Sequence, residues 1–141
     1  MANFVHNSFR NGILGEHATR VDLDTDSINM IFIDATDDVP LVTDDFFDDL
    51  IGTPEPSFAT SPTLSTPTIG SPQAEGVFDA ADLVFTSLTG DECEWLVMFK
   101  DTGTEATSDM ICAWDTLTGL PLTPNGADVT VVMASGGILT T

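Results

Sequence analysis

The sequence predicts a mainly β protein: an antiparallel β-sandwich or barrel-like single domain, with a short N-terminal helix or arm and one short helix near residues 44–51. Three observations predict it. First, the stretch Asp91 to Asp115, DECEWLVMFKDTGTEATSDMICAWD, carries two apolar arms around a polar loop in which no apolar residue is larger than Ala106. Along the first arm Cys93, Trp95, Val97 and Phe99 alternate with Glu94, Leu96, Met98 and Lys100, so that from Leu96 onward both faces are largely apolar. The second arm, Met110 to Trp114, is apolar throughout. Strands of that kind are covered on both sides. Second, Ser27 to Ile33 repeats the two-faced pattern, with Ile28, Met30 and Phe32 on one face and Ile31 and Ile33 on the other. Third, the short runs Asp82 to Leu88 and Asp128 to Met133 are set off by turns at Gly90-Asp91, Asp115 to Gly119 and Pro124-Asn125-Gly126, the spacing of antiparallel strands.

Composition bounds the class. A chain of 141 residues, 42% of them hydrophobic, has the size and apolar content of one domain with one core. Its 23 acidic residues face only Arg10, Arg20 and Lys100, a formal net charge of -20. Nucleic acid is excluded as a partner, because affinity for phosphates comes from the lysines and arginines that this chain lacks. A membrane is excluded on similar grounds: anionic headgroups repel the chain, and no apolar run approaches the roughly 20 residues of a spanning helix. A charged coat of this kind favours solubility and opposes self-association.

Taken in order, residues 1–21 read as an N-terminal arm or helix and 22–141 as the β-rich domain. Asn3 to Leu14 allows an amphipathic helix with Asn3 as N-cap and Phe4, Val5, Phe9 and Ile13 near one face, interrupted by Gly12. The segment holds Arg10, His6 and His17 and no acidic residue before Glu16. Two readings fit it: a lid over one end of the core, or an arm that leaves its domain to grip a neighbouring subunit of opposite charge. Met1 to Leu14 shows no charged-then-apolar secretion pattern.

Asp22, Asp24 and Asp26 resemble the opening of a calcium loop, but its sixth position is Ser27 instead of Gly and its twelfth is Ile33 instead of Glu. The segment therefore reads as an acidic turn leading into a strand, and no metal or cofactor is assigned. In Thr43 to Gly52, TDDFFDDLIG, Thr43 or Asp44 caps a helix whose stripe is Phe46, Phe47, Leu50 and Ile51, and Gly52 stops it. Asp44, Asp45, Asp48 and Asp49 fall on the solvated side. The five prolines of Thr53 to Gly76 exclude a central strand, while Phe58, Leu64 and Ile69 pin this Pro/Ser/Thr-rich segment, residues 53–76, to the core as an ordered, extended surface run. Cys93 and Cys112 would face each other across a tight turn at Thr102-Gly103. The poor strand character of Glu105 to Asp109 favours a longer loop and two free, buried thiols. Ser135-Gly136-Gly137 reads as a flexible joint before a last anchor, Ile138 and Leu139.

No catalytic constellation is present. The chain has no serine in a strand-to-helix elbow, no phosphate-cradling glycine loop with lysine, and no Cys or His spacing suited to zinc. His6 and His17 lack a third ligand, and the aspartate pairs of residues 44–49 alternate with exposed positions instead of forming a buried acid/base pair. The sequence reads as a protein without enzymatic activity.

Three segments carry a resemblance: MANFVHNSFRNGILG, VDLDTDSINMIFIDATDD and GVFDAADLVFTSLTGDECEWLVMFKDTGTEATSDMICAWDTLTGLPLTPNGADVTVVM. The chain resembles a family of small tailed-phage structural proteins found among head and tail morphogenesis genes. The most specific parts are FKDTGTEATS, Phe99 to Ser108, and TGLPLTPNGADVTV, Thr118 to Val131. The chain departs from the family at Asp109, where a basic or polar residue is common, and in its extra prolines between Thr53 and Gly76. The resemblance implies a virion component. An acidic, strand-rich domain with one oddly charged arm fits best a capsid cement or decoration protein on the outer surface of the shell, bound to the major capsid protein and to itself as a trimer or dimer. Its interface would be Phe4, Val5, Phe9, Arg10 and Arg20 of the arm with Phe58, Leu64 and Ile69 of the extended segment. A tail or head-tail connector protein is the second expectation, and a fibre-associated receptor-binding module the third.

Overall fold

The computed structural model describes residues 3–15, 21–70 and 75–140. In chain order these form β1 (Phe4–Val5), α1 (Asn7–Ile13), β2 (Ile28–Ile33), β3 (Thr68–Ile69), β4 (Val77–Asp79), β5 (Leu83–Phe85), β6 (Trp95–Lys100), β7 (Met110–Trp114), β8 (Val129–Val131) and β9 (Leu139–Thr140). The protein is mainly β, and all strand pairs are antiparallel.

The centre is a four-stranded sheet in the order β1-β7-β6-β2. Ile28 lies opposite Lys100 and Ile33 opposite Trp95. Between β6 and β7 the register shifts at Met98/Phe99, so that Cys112 faces Met98 while Met110 faces Phe99. This bulge sends Met110 and Ala113 to one apolar layer and Ile111 and Cys112 to the other.

Each face has its own cover. Ile28, Met30, Phe32, Leu96 and Met98 pack against Phe78, Leu83 and Phe85, which come from the three-stranded sheet β3-β4-β9 and the pair β5-β8, and against Phe9, Leu64 and Leu88. On the opposite face Ile31, Ile33, Trp95, Val97 and Phe99 pack against Phe47 and Leu50 from irregular chain. There the Phe47 ring lies 4.7 Å from that of Phe99 and 4.9 Å from that of Phe58. Cys93, which alternation assigns to the Trp95 side, lies in the other layer. The strand starts only at Trp95, and Cys93 pairs separately with Leu122 through N–H to carbonyl bonds of 2.8 Å in both directions.

The β2 edge of the central sheet is closed by irregular chain, which removes a template for unwanted strand pairing. Along β2 runs the proline-rich segment: Phe32 and Glu55 exchange backbone bonds of 2.8 and 2.9 Å, the Met30 N–H donates to the Pro62 carbonyl, and the Leu64 N–H donates to that of Ile28. Prolines lack a ladder donor, so this position is the one open to them. Gly90 crosses close by at φ +131°, where any side chain would collide with that of Glu55.

Two helix expectations are corrected. The helix near residues 44–51 is a single 3-10 turn, Phe47–Asp49. Phe46 is extended and bridges Asp109, the Asp49 carboxylate accepts the N–H groups of Asp45 and Phe46, and Ile51 is 88% exposed. Short aspartate side chains bond nearby backbone and so compete with the helix ladder. At the N-terminus the helix starts at Asn7, and Asn3 is no N-cap: its Oδ1 accepts the N–H groups of Asp115 and Thr116. Phe4 and Val5 pair as a strand with Ala113 and Cys112. The glycine joint is likewise fixed in place, because Gly137 turns at φ +96° against Val77, and the Ile138 N–H donates to the Phe78 carbonyl at 2.7 Å.

Candidate functional site

The groups with chemical potential are mostly turned inward. Cys93 and Cys112 are free and buried. Burial first, and then the neighbouring Glu55 carboxylate, pushes the Cys93 thiol up to about 12, and burial holds Cys112 well above its ordinary value. Thiols so raised are poor nucleophiles at neutral pH. Glu55 itself is raised by burial and accepts a weak bond from Cys93 Sγ at 3.7 Å. His6, fully buried at the β1–α1 junction with its ring edge against Phe4 at 5.1 Å, is lowered by desolvation to about 4. The backbone of Leu41 and Asp44 faces its ring nitrogens, but neither nitrogen has a hydrogen bond of good geometry.

The aspartates have structural roles that the sequence reading missed. Asp34 accepts the Thr36 N–H, Asp37 that of Thr53, Asp38 that of Ile51 and Asp44 that of Leu41, so carboxylates stitch the loops covering the Phe99 face. Asp44 is raised, mainly by burial and further by Asp49, Asp38 and Asp45. Asp22, Asp24 and Asp26 do not converge on a cation site. Asp26 accepts the Asp22 N–H and pairs with Lys100 Nζ at 2.9 Å, while a hydrogen bond between the other two carboxyl groups lowers Asp22 and raises Asp24. Among the described residues no three His, Cys, Asp or Glu side chains group so as to hold a metal ion.

The interface residues taken from the sequence are largely engaged within the chain. Phe9 and Leu64 are buried, and Phe4, Val5 and Phe58 are half-buried against the two core layers. Arg10 and Ile69 remain exposed, Ile69 at 49%. Arg20 and His17 lie outside the described residues. Within the chain, Phe4 and Val5 complete its own sheet and Phe9 its own core, which are the contacts of a lid, while Arg10 and Ile13 face outward.

A hollow of 360 Å³ stays open at Phe9, Ile13 and Ile69, and a larger groove stays open beside β8. A cavity of 540 Å³ lies between the centre of the sheet, at Phe32 and Leu96, and a wall made by Leu117, Leu120, Leu122 and β8. A second depression of 230 Å³ shares Leu96, Leu117, Val131 and Val132 and extends it toward Trp114 and Ile138. No charged side chain among the described residues lines either one. Val132, at its mouth, is 73% exposed. A sequence signal existed: LTGLPL, residues 117–122, places three leucines in a turn region, where leucines have no strand to serve and so become a wall. No family model matches the sequence, and no curated protein matches it.

Proposed function

We propose that the protein is a structural component of a tailed-phage particle, a cement or decoration protein that binds the major capsid protein on the outer surface of the shell and acts by attachment, without enzymatic activity. The observation that carries this reading is the division of the surface: thiols and the one described histidine are sequestered, the coat is acidic, and an uncharged apolar groove remains for contact. A large net charge suits a protein present at high local density, because it opposes uncontrolled association. Symmetry-matched dimers or trimers on the lattice suit the same role. The resemblance in Phe99 to Ser108 and Thr118 to Val131 adds the phage context. Quantitative protein staining of purified particles tests the proposal. On the order of hundreds of copies per particle, removable without opening the shell, is the expected result, whereas about a dozen copies would indicate a connector ring and none would end the virion assignment.

A further inference from the structure

We propose that the groove beside β8 receives an extended, alternately apolar segment of another protein, flanked by basic residues, which adds as a strand to the free edge of β8. This inference does not depend on the virion assignment. Its first support is backbone pairing. β8 pairs with β5 on one side only, Leu83 opposite Val131 and Phe85 opposite Val129, and no described residue pairs with its other edge. The β2 edge of the central sheet, by contrast, is covered by the proline-rich segment. An unpaired edge beside an apolar trough is the arrangement that accepts an added strand: main-chain bonds bind it, and every second side chain enters the trough.

Its second support is the lining. A pocket for a small ligand sets a few convergent polar groups to fix orientation. Here the walls are aliphatic apart from the aromatic rings of Phe32 and Trp114 and a few uncharged polar groups, chiefly the Thr118 and Thr130 hydroxyls and the Asn3 amide, and the groove is elongated through the two depressions. Its third support is charge. Asp82 accepts the Met133 N–H and Asp128 the Ser87 N–H, each at 2.8 Å, at the two ends of the β5–β8 pair, and Glu92 accepts the Thr123 hydroxyl at 2.9 Å next to Leu122, so carboxylates flank the uncharged trough. A segment with basic flanks meets them favourably. A second copy of this chain would bring a further net charge of -20 to the same rim.

The test uses the full chain and a synthetic peptide of about nine residues that alternates Val and Thr between paired lysines. Amide shifts in NMR should move at Val129 to Val132 and Leu117 to Leu122, with saturation. Lysine-to-glutamate flanks, or N-methylation of alternate peptide bonds, should each weaken binding by about tenfold or more. Val132→Asp, at an exposed position, should do the same, while Ile51→Asp on the opposite face should not. The proposal is overturned if millimolar peptide leaves those amides unmoved, if glutamate-flanked or N-methylated peptide binds as well, or if Val132→Asp has no effect. It is also overturned if the free protein sediments as a dimer that Val132→Asp dissociates, which would assign the groove to a second copy.

Discussion

Irregular chain covers one face of the central sheet, short strands joined by irregular chain and a helix cover the other, and the first cover is the tighter. Over Ile31, Ile33, Val97 and Phe99, the loops bury Phe47 and Leu50, and only Phe4, Ala35 and Phe58 stand half-open at the margin. Over Met30, Phe32, Leu96 and Met98, strands of two or three residues and the irregular run 117–122 leave Leu117, Leu120, Leu122, Val129 and Val131 half-open around a 540 Å³ cavity. Regular backbone does not in itself seal a core. Sealing depends on the side-chain volume that each covering segment inserts, and a short strand inserts one or two chains per face, whereas a turn carrying an aromatic ring inserts a large one. The aspartates make this possible, because their carboxylates satisfy the turn backbone that would otherwise need strand partners.

The contrast can be broken by mutation. Phe47→Ala should cost about 3–5 kcal/mol in urea unfolding, the range for deleting a buried ring, and a loss under about 1 kcal/mol would mean that the loops do not seal their face. On the same side, His6 ties stability to pH. Its ring is held neutral by burial, at about 4 against an ordinary 6.5, so the unfolded chain takes up the proton first. The stabilisation is complete above the unfolded value and falls away as pH drops from 6.5 to about 4, by about 3 kcal/mol. Asp44 and Glu55, raised by burial, act with the opposite sign, since the fold favours their protonated forms. The difference between the wild type and His6→Phe therefore isolates the histidine: the variant should lose the acid slope, and an unchanged slope would place its origin elsewhere. The smallest effect belongs to the open face. Val131→Ala should cost only about 1 kcal/mol, because two carbons leave a half-buried position, and a cost equal to that of Phe47→Ala would erase the difference between the covers.

The long elements were legible because their patterns are local. Ser27 to Ile33, Trp95 to Lys100 and Met110 to Trp114 have apolar residues on both faces, and only the interior of a layered β structure accommodates that. The free, buried cysteines also follow from the polar character of Glu105 to Asp109, which keeps the turn from tightening. The aspartates of residues 44–49 were misread, because the helical spacing of Phe46, Phe47, Leu50 and Ile51 is the same whether or not the backbone finds a better partner elsewhere. Asp109, opposite Phe46, supplies that partner from about sixty residues away. Phe4 and Val5 were misread for the same reason.

By itself, the sequence determined which strands lie in the middle, where the prolines could run, and that the surface would be negative, since each follows from residue type and near-neighbour spacing. Tertiary structure alone decided that the N-terminal residues complete their own sheet, that carboxylates serve as backbone acceptors, and that β8 keeps an open edge above an uncharged trough. Those outcomes depend on which distant segments compete for the same hydrogen bonds and the same volume, and that competition is settled only when the whole chain is packed.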